Sequence, residues 1–184
     1  KNKSDTLYLS SQLRSQGGES YELFVKDLLT LKAQRIFKNE HYKLLLFDRI
    51  DDMHNEIKKK DQKYGLSRML AGFSWEWKYK NDMSHKDITI ENKSFKWNSV
   101  VKDWINSNDA INEIGCIHTS QGYDLNYCGL IFGNEISYDK IRNEIIIKEE
   151  MYFDKYGKIG IDNKEELKTY IINIYKTMLL RAIK

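Results

Sequence analysis

At 184 residues, 41% hydrophobic and 31% charged, the chain is long enough for one packed domain and too apolar for intrinsic disorder. A net charge of +3, from 30 Lys+Arg against 27 Asp+Glu, excludes a uniformly polycationic binder but leaves room for a basic face. No apolar run approaches the roughly 18 residues that span a bilayer, and neither CxxC nor HExxH occurs among the 2 cysteines and 4 histidines, so no metal motif is present.

Proline is absent, so Gly, Asn and Asp must punctuate the chain. Thr6–Ser10 reads as a short strand. After Gly17–Gly18, the spacing predicts a helix over Glu19–Leu31 with Leu23, Phe24, Leu28 and Leu31 on its inner face. Tyr42–Phe47 (YKLLLF) has the length and composition of a buried strand. Asp51–Lys63 is a polar helix that turns Met53 and Ile57 inward, and Ser67–Trp75 is a further strand. Asp87–Glu91 and Ser94–Trp97 flank Asn92–Lys93 as a hairpin. Val100–Ile105 fits a helix. Glu113–His118 and Cys128–Phe132 are apolar strands around a polar connection, and Asn143–Lys148 pairs with Met151–Phe153. Lys164–Ile183 is the strongest helix, with Leu167, Ile171, Ile174, Met178 and Ile183 recurring along it. Strands alternating with helices imply an α/β fold built on a mainly parallel sheet covered on both faces.

Cys116 and Cys128 lie in apolar segments and read as buried thiols, a usage suited to a reducing cytoplasm. No signal peptide opens the chain. It starts at Lys1 and stops at Lys184 within a running helical pattern, as an excised segment of a longer polypeptide would. The tryptophans Trp75, Trp77, Trp97 and Trp104 fit a core more readily than a base-stacking platform.

The chemistry-bearing stretch is Ile114–Gly133, in which an apolar strand runs into His118–Thr119–Ser120–Gln121–Gly122, then Asp124, then a second apolar strand. Loops at the carboxyl ends of strands are where open α/β sheets bind ligands. Hydroxyl, amide and glycine groups in such a loop can meet phosphate oxygens, although an ordinary polar turn has the same composition. Arg14 follows the first strand, where a guanidinium is suited to bidentate phosphate contact or to a surface salt bridge. Arg181 closes an otherwise apolar stretch, Met178–Ala182, and must pair, snorkel or meet a ligand. GxxxxGK[ST] does not occur, so the chain has no P-loop of its own, and Asp48 at the end of LLLFD is a turn or helix-start residue rather than a magnesium ligand.

Three segments, in order, resemble superfamily-1 helicases, in particular the DUF2075 group related to the Schlafen helicase-like region. LSSQLRSQGGESYELFVKDLL at Leu9–Leu29 resembles the opening segment with motif IV. IGCIHTSQGYDLNYCGLIFGNEI at Ile114–Ile136 resembles motif V, and YIINIYKTMLLRAIK at Tyr170–Lys184 resembles motif VI.

The resemblance implies a single RecA-like domain over 1–184. It would be the second motor domain of an ATP-dependent DNA or RNA helicase or translocase, inactive as an ATPase by itself. Arg181 and Arg14 would be the catalytic residues that reach the γ-phosphate of ATP. ATP and Mg²⁺ would be bound mainly by an N-terminal RecA-like domain of the same parent chain. Gln12, Gln121, Gly122 and Asp124 would line the nucleotide cleft, with Asp124 at the ribose in place of the more usual Glu. His118, Thr119 and Ser120 would face the backbone of a single-stranded DNA or RNA. Leu180 departs from the family pattern by replacing a Thr before the arginine. A RecA-like module kept for nucleic-acid binding or regulation, without catalysis, is the alternative the same residues allow.

Overall fold

The computed structural model describes residues 14–79, 82 and 84–184. The expected strand Thr6–Ser10 and the expected cleft residue Gln12 therefore lie outside the described residues. The order of elements is α1 (Gly18–Leu29), α2 (Ile50–Tyr64), β1 (Ser67–Ala71), β2 (Ile88–Ile90), β3 (Lys93–Trp97), β4 (Glu113–Gly115), β5 (Tyr127–Ile131), β6 (Ile136–Asp139), β7 (Glu144–Ile147) and α3 (Lys164–Leu179).

Five strands form one sheet in the order β2-β3-β4-β1-β5. β1 is its centre, pairing in parallel with β4 and with β5, and all five of its residues are buried. That burial on both faces explains why SRMLA lacks the alternation of a half-exposed strand. β3 adds to β4 in parallel, and β2 folds back antiparallel on β3 as the expected hairpin. The result is a RecA-like arrangement, a mostly parallel sheet flanked by helices with a small antiparallel addition.

Helix α2 lies on one face through Ile50, Met53, His54 and Ile57, spaced as one helical stripe. Gly129 of β5 makes that approach close, because a Cβ there would stand 3.0 Å from Ile57 Cγ1 and 3.3 Å from Met53 Sδ. Strand alternation turns Phe132 to the opposite face, where its ring stacks on Tyr175 of α3 at 4.5 Å and 6°. Helix α1 packs outside α3 and is tied to it by the Tyr21 hydroxyl, which donates to the Leu179 carbonyl at 3.1 Å. The N-terminus of α3 is capped by Asn163, whose side chain accepts from the Glu166 N–H at 2.8 Å, with Glu165 and Glu166 in the first turn. No helix among the described residues is long and apolar enough to cross a membrane.

Four expectations are corrected. In α1 the buried stripe is Tyr21, Val25 and Leu29, whereas Leu23 and Leu28 are exposed; both sets have helical spacing, and packing against α3 selects between them. Tyr42–Phe47 forms no strand, and Leu46 is 96% exposed, because an apolar run becomes a strand only where an edge pairs with it. The helix expected over Val100–Ile105 is reduced to one 3₁₀ turn, Trp104–Asn106, entered through Asp103 at φ 56°. The later β-pair joins Ile136–Asp139 to Glu144–Ile147, and Met151 ends a 3₁₀ turn instead. Asp139 makes that hairpin by accepting the N–H groups of Ile141 and Arg142 at 2.8 and 3.1 Å, and Asn143 takes φ 52°.

Two of the tryptophans are fully buried core, Trp97 and Trp104. Trp75 and Trp77 are partly buried against that core.

Candidate functional site

The connection from β4 to β5 is a series of tight turns rather than a long helix. Ser120 N–H donates to the Cys116 carbonyl at 3.1 Å, and Tyr123 N–H to the Ser120 carbonyl at 3.3 Å. Thr119 Oγ1 accepts from Cys116 N–H at 3.1 Å, and Ser120 Oγ donates to the Ile117 carbonyl at 3.2 Å. Both residues are buried, so the hydroxyls expected at a nucleic-acid backbone are engaged within their own turn. Gln121 and Gly122 are exposed, and Gly122 has φ 85° with no heavy atom within 4 Å of a Cβ position. A side chain at 122 is therefore opposed by backbone strain, not by crowding.

Beyond the glycine the two expected arginines meet. Arg14 forms an ion pair through Nε with Asp124 Oδ1. Arg181 donates from NH1 to the Tyr123 carbonyl at 3.2 Å. The backbone fixes both: Leu125 N–H donates to the Arg181 carbonyl at 3.4 Å, Ile183 N–H to the Leu125 carbonyl at 2.8 Å, and Gln16 N–H to the Ile183 carbonyl at 2.7 Å. Motifs far apart in sequence are thus stitched into one rim.

Arg181 is only 4% exposed, and its Nε is buried with no partner among the described residues. Burial first, and then the positive charge of Arg14, pull its pKa below the ordinary arginine value. Two guanidinium groups around one carboxylate leave a local excess of positive charge and an unsatisfied N–H, which is the chemistry that an oxyanion of higher charge satisfies. Among the described residues no group of three or more His, Cys, Asp or Glu is placed to hold a metal ion.

Helix α3, which leads into Arg181, is anchored to the strand ends by a buried hub. Tyr175 donates to Glu135 Oε1 at 2.6 Å and accepts from Gly133 N–H at 2.9 Å, while Glu135 N–H donates to Ser74 Oγ at 3.2 Å. Any side chain at Gly72 or Gly133 collides with this group. Burial pushes the Glu135 carboxyl up, against the opposing hydrogen bonds from Tyr175 and Ser74. The folded state therefore holds that proton to higher pH than the unfolded chain does. The stability it contributes is complete below the ordinary value of 4.5 and is lost as pH rises through the raised folded value. Glu135→Gln is expected to flatten that decline in melting temperature as pH rises above 4.5. An unchanged pH slope in the variant contradicts it.

Nothing in the sequence marks Glu135, Tyr175 or Asp154, whose Oδ2 lies 3.2 Å from His118 Nε2, as partners of the site. No spacing rule links partners 40 and 36 residues apart, although a Gly beside each strand end was a visible sign of close packing. Cys116 is buried and its thiol pKa is raised by desolvation; that of half-buried Cys128 is pushed up to about 12 by the same cause.

A family described as "Schlafen group 3, DNA/RNA helicase domain" matches residues 1–184. The uncharacterized protein YPL245W of Saccharomyces cerevisiae is 32% identical over 158 residues, which is 80% of this chain and 34% of that relative. The chain thus spans about a third of the length of the curated relative it matches. No solved structure matches. With its RecA-like sheet and a match over its whole length, the chain belongs to the Schlafen group 3 DNA/RNA helicase domain family.

Proposed function

We propose that this chain is the second RecA-like motor domain of an ATP-dependent DNA or RNA helicase or translocase. The observation that carries the reading is the meeting of Arg14 and Arg181 at Tyr123–Asp124, on the rim behind the exposed Gln121–Gly122 turn. ATP and Mg²⁺ are held mainly by a preceding RecA-like domain of the parent chain. Bound there, the nucleotide with its metal supplies the phosphoryl group to be transferred.

This chain contributes charge. Arg181 has an N–H already stripped of water and without a partner among the described residues, so its guanidinium needs little further desolvation to meet phosphate. Arg14 must exchange the Asp124 carboxylate for that phosphate, which releases Asp124 toward the ribose hydroxyls. Closure of the cleft is thereby coupled to nucleotide, and reopening follows loss of the γ-phosphate. His118, with its side chain 53% exposed at the end of β4, is the turn's nucleic-acid contact.

The Arg14–Asp124 ion pair also favours a second reading, a RecA-like module that binds nucleic acid without taking part in hydrolysis. Single-strand-stimulated ATP hydrolysis by the full-length protein separates the two. Turnover collapses in Arg14→Ala and in Arg181→Ala, with melting temperatures kept, if the domain is a motor half. Undiminished turnover in both variants refutes the motor reading.

A further inference from the structure

The segment Tyr152–Gly157 docks on the turn after β4 through one carboxylate. Asp154 is 4% exposed. Its Oδ1 accepts the N–H groups of Tyr156 and Gly157 at 3.1 and 2.9 Å, and its Oδ2 lies 3.2 Å from His118 Nε2. Gly157 closes over this contact, since a Cβ there would stand 2.6 Å from Asp154 Oδ2 and 2.9 Å from the Tyr152 hydroxyl. The His118 ring also rests on Phe73, with ring centroids 5.5 Å apart. The imidazole is thus held on two sides, by the carboxylate and by the Phe73 ring.

The turn that directs Asp154 inward directs its next two residues outward. Tyr156 is 81% exposed, and Lys155 is exposed and makes no ion pair among the described residues. A phenol so exposed adds little to packing. Lys158, on the other side of this turn, donates to the Glu149 carbonyl at 3.1 Å. Lys155 and Tyr156 thus follow directly on the carboxylate that holds the imidazole, as a cationic and aromatic pair, the combination that tracks phosphates and stacks bases of a single strand.

We propose that His118, Lys155 and Tyr156 form one contact for single-stranded nucleic acid, with Asp154 as the positioning residue that locks the two segments together. The proposal rests on the nucleic-acid reading above and extends the interface to a segment that reading did not include. Imidazole and ammonium meet phosphates, and the phenol ring stacks on a base.

The test is the anisotropy of a labelled oligothymidylate titrated with the chain at several salt concentrations. The double variant Lys155→Ala/Tyr156→Ala changes two exposed residues and is expected to melt as the wild type does. It is expected to bind about tenfold more weakly, or worse, and to lower the slope of log K against log salt by about one phosphate contact. Tyr156→Phe keeps the affinity, because the ring remains. Asp154→Asn and His118→Gln weaken binding alike, and combining them costs no more than either, as expected for residues acting as a unit. Wild-type affinity and salt slope in the Lys155/Tyr156 variant overturn the proposal while leaving the motor reading intact. Absence of oligonucleotide binding by the wild-type chain instead removes the nucleic-acid reading on which it rests.

Discussion

Arg181→Ala in the full-length protein is expected to lower kcat for nucleic-acid-stimulated ATP hydrolysis by about 10³-fold or more, the range for an arginine that stabilises phosphoryl transfer from a second domain. KM for ATP should change far less, because charge stabilised only in the transition state appears in kcat. The size of the effect follows from burial: the Arg181 guanidinium is 4% exposed, where water screens it little. Lys at 181 is expected to recover only part of the loss. Its ammonium cannot keep the bond to the Tyr123 carbonyl and at the same time offer a fork of donors to phosphate. Arg14→Ala should follow the same pattern more weakly, since that side chain is 39% exposed and already shared with Asp124. A Kd for ATP that rises while kcat stays at the wild-type level would place the arginine in ground-state binding instead.

The largest effect on stability is expected from Trp104→Ala. The indole is fully buried, and its Nε1 donates to Glu113 Oε2 at 2.7 Å; that buried carboxylate also accepts Ser99 N–H at 2.9 Å. Gly115 of β4 lies directly beneath the ring and has no space for a Cβ. Removing the indole leaves a cavity under the strand that launches the functional turn, at a cost of about 3–5 kcal/mol. It also takes one donor from a buried carboxylate, which keeps the loss toward the upper end. Urea unfolding of the chain should show the midpoint falling with the m-value retained. A shift equivalent to less than about 1 kcal/mol would mean that the ring is not the support for β4.

What the sequence made legible depended on how local the deciding interaction is. Helix α2, the hairpin of β2 and β3 and the core of α3 follow from periodicity and short turns, and the structure has them. The stripe of α1 and the fate of Tyr42–Phe47 depend on which neighbour is present, information a single segment does not carry. The same division holds at the site. Arg14 in the loop after the first strand, Asp124 in the polar connection and Arg181 closing an apolar stretch were readable as charged residues near strand and helix ends, and the structure brings them to one rim. The inward engagement of Thr119 and Ser120 was not readable, because a hydroxyl in a turn serves its own backbone and a ligand equally well. Nor was Asp154, since only the fold brings it to His118.

Retention of ADP with aluminium fluoride, which mimics the phosphoryl group in transit, tests the central claim most directly. The wild-type full-length protein should trap this complex, and Arg14→Ala and Arg181→Ala should bind ADP normally yet fail to retain the fluoride. Trapping by both variants at the wild-type level would show that neither guanidinium reaches the transferring phosphate.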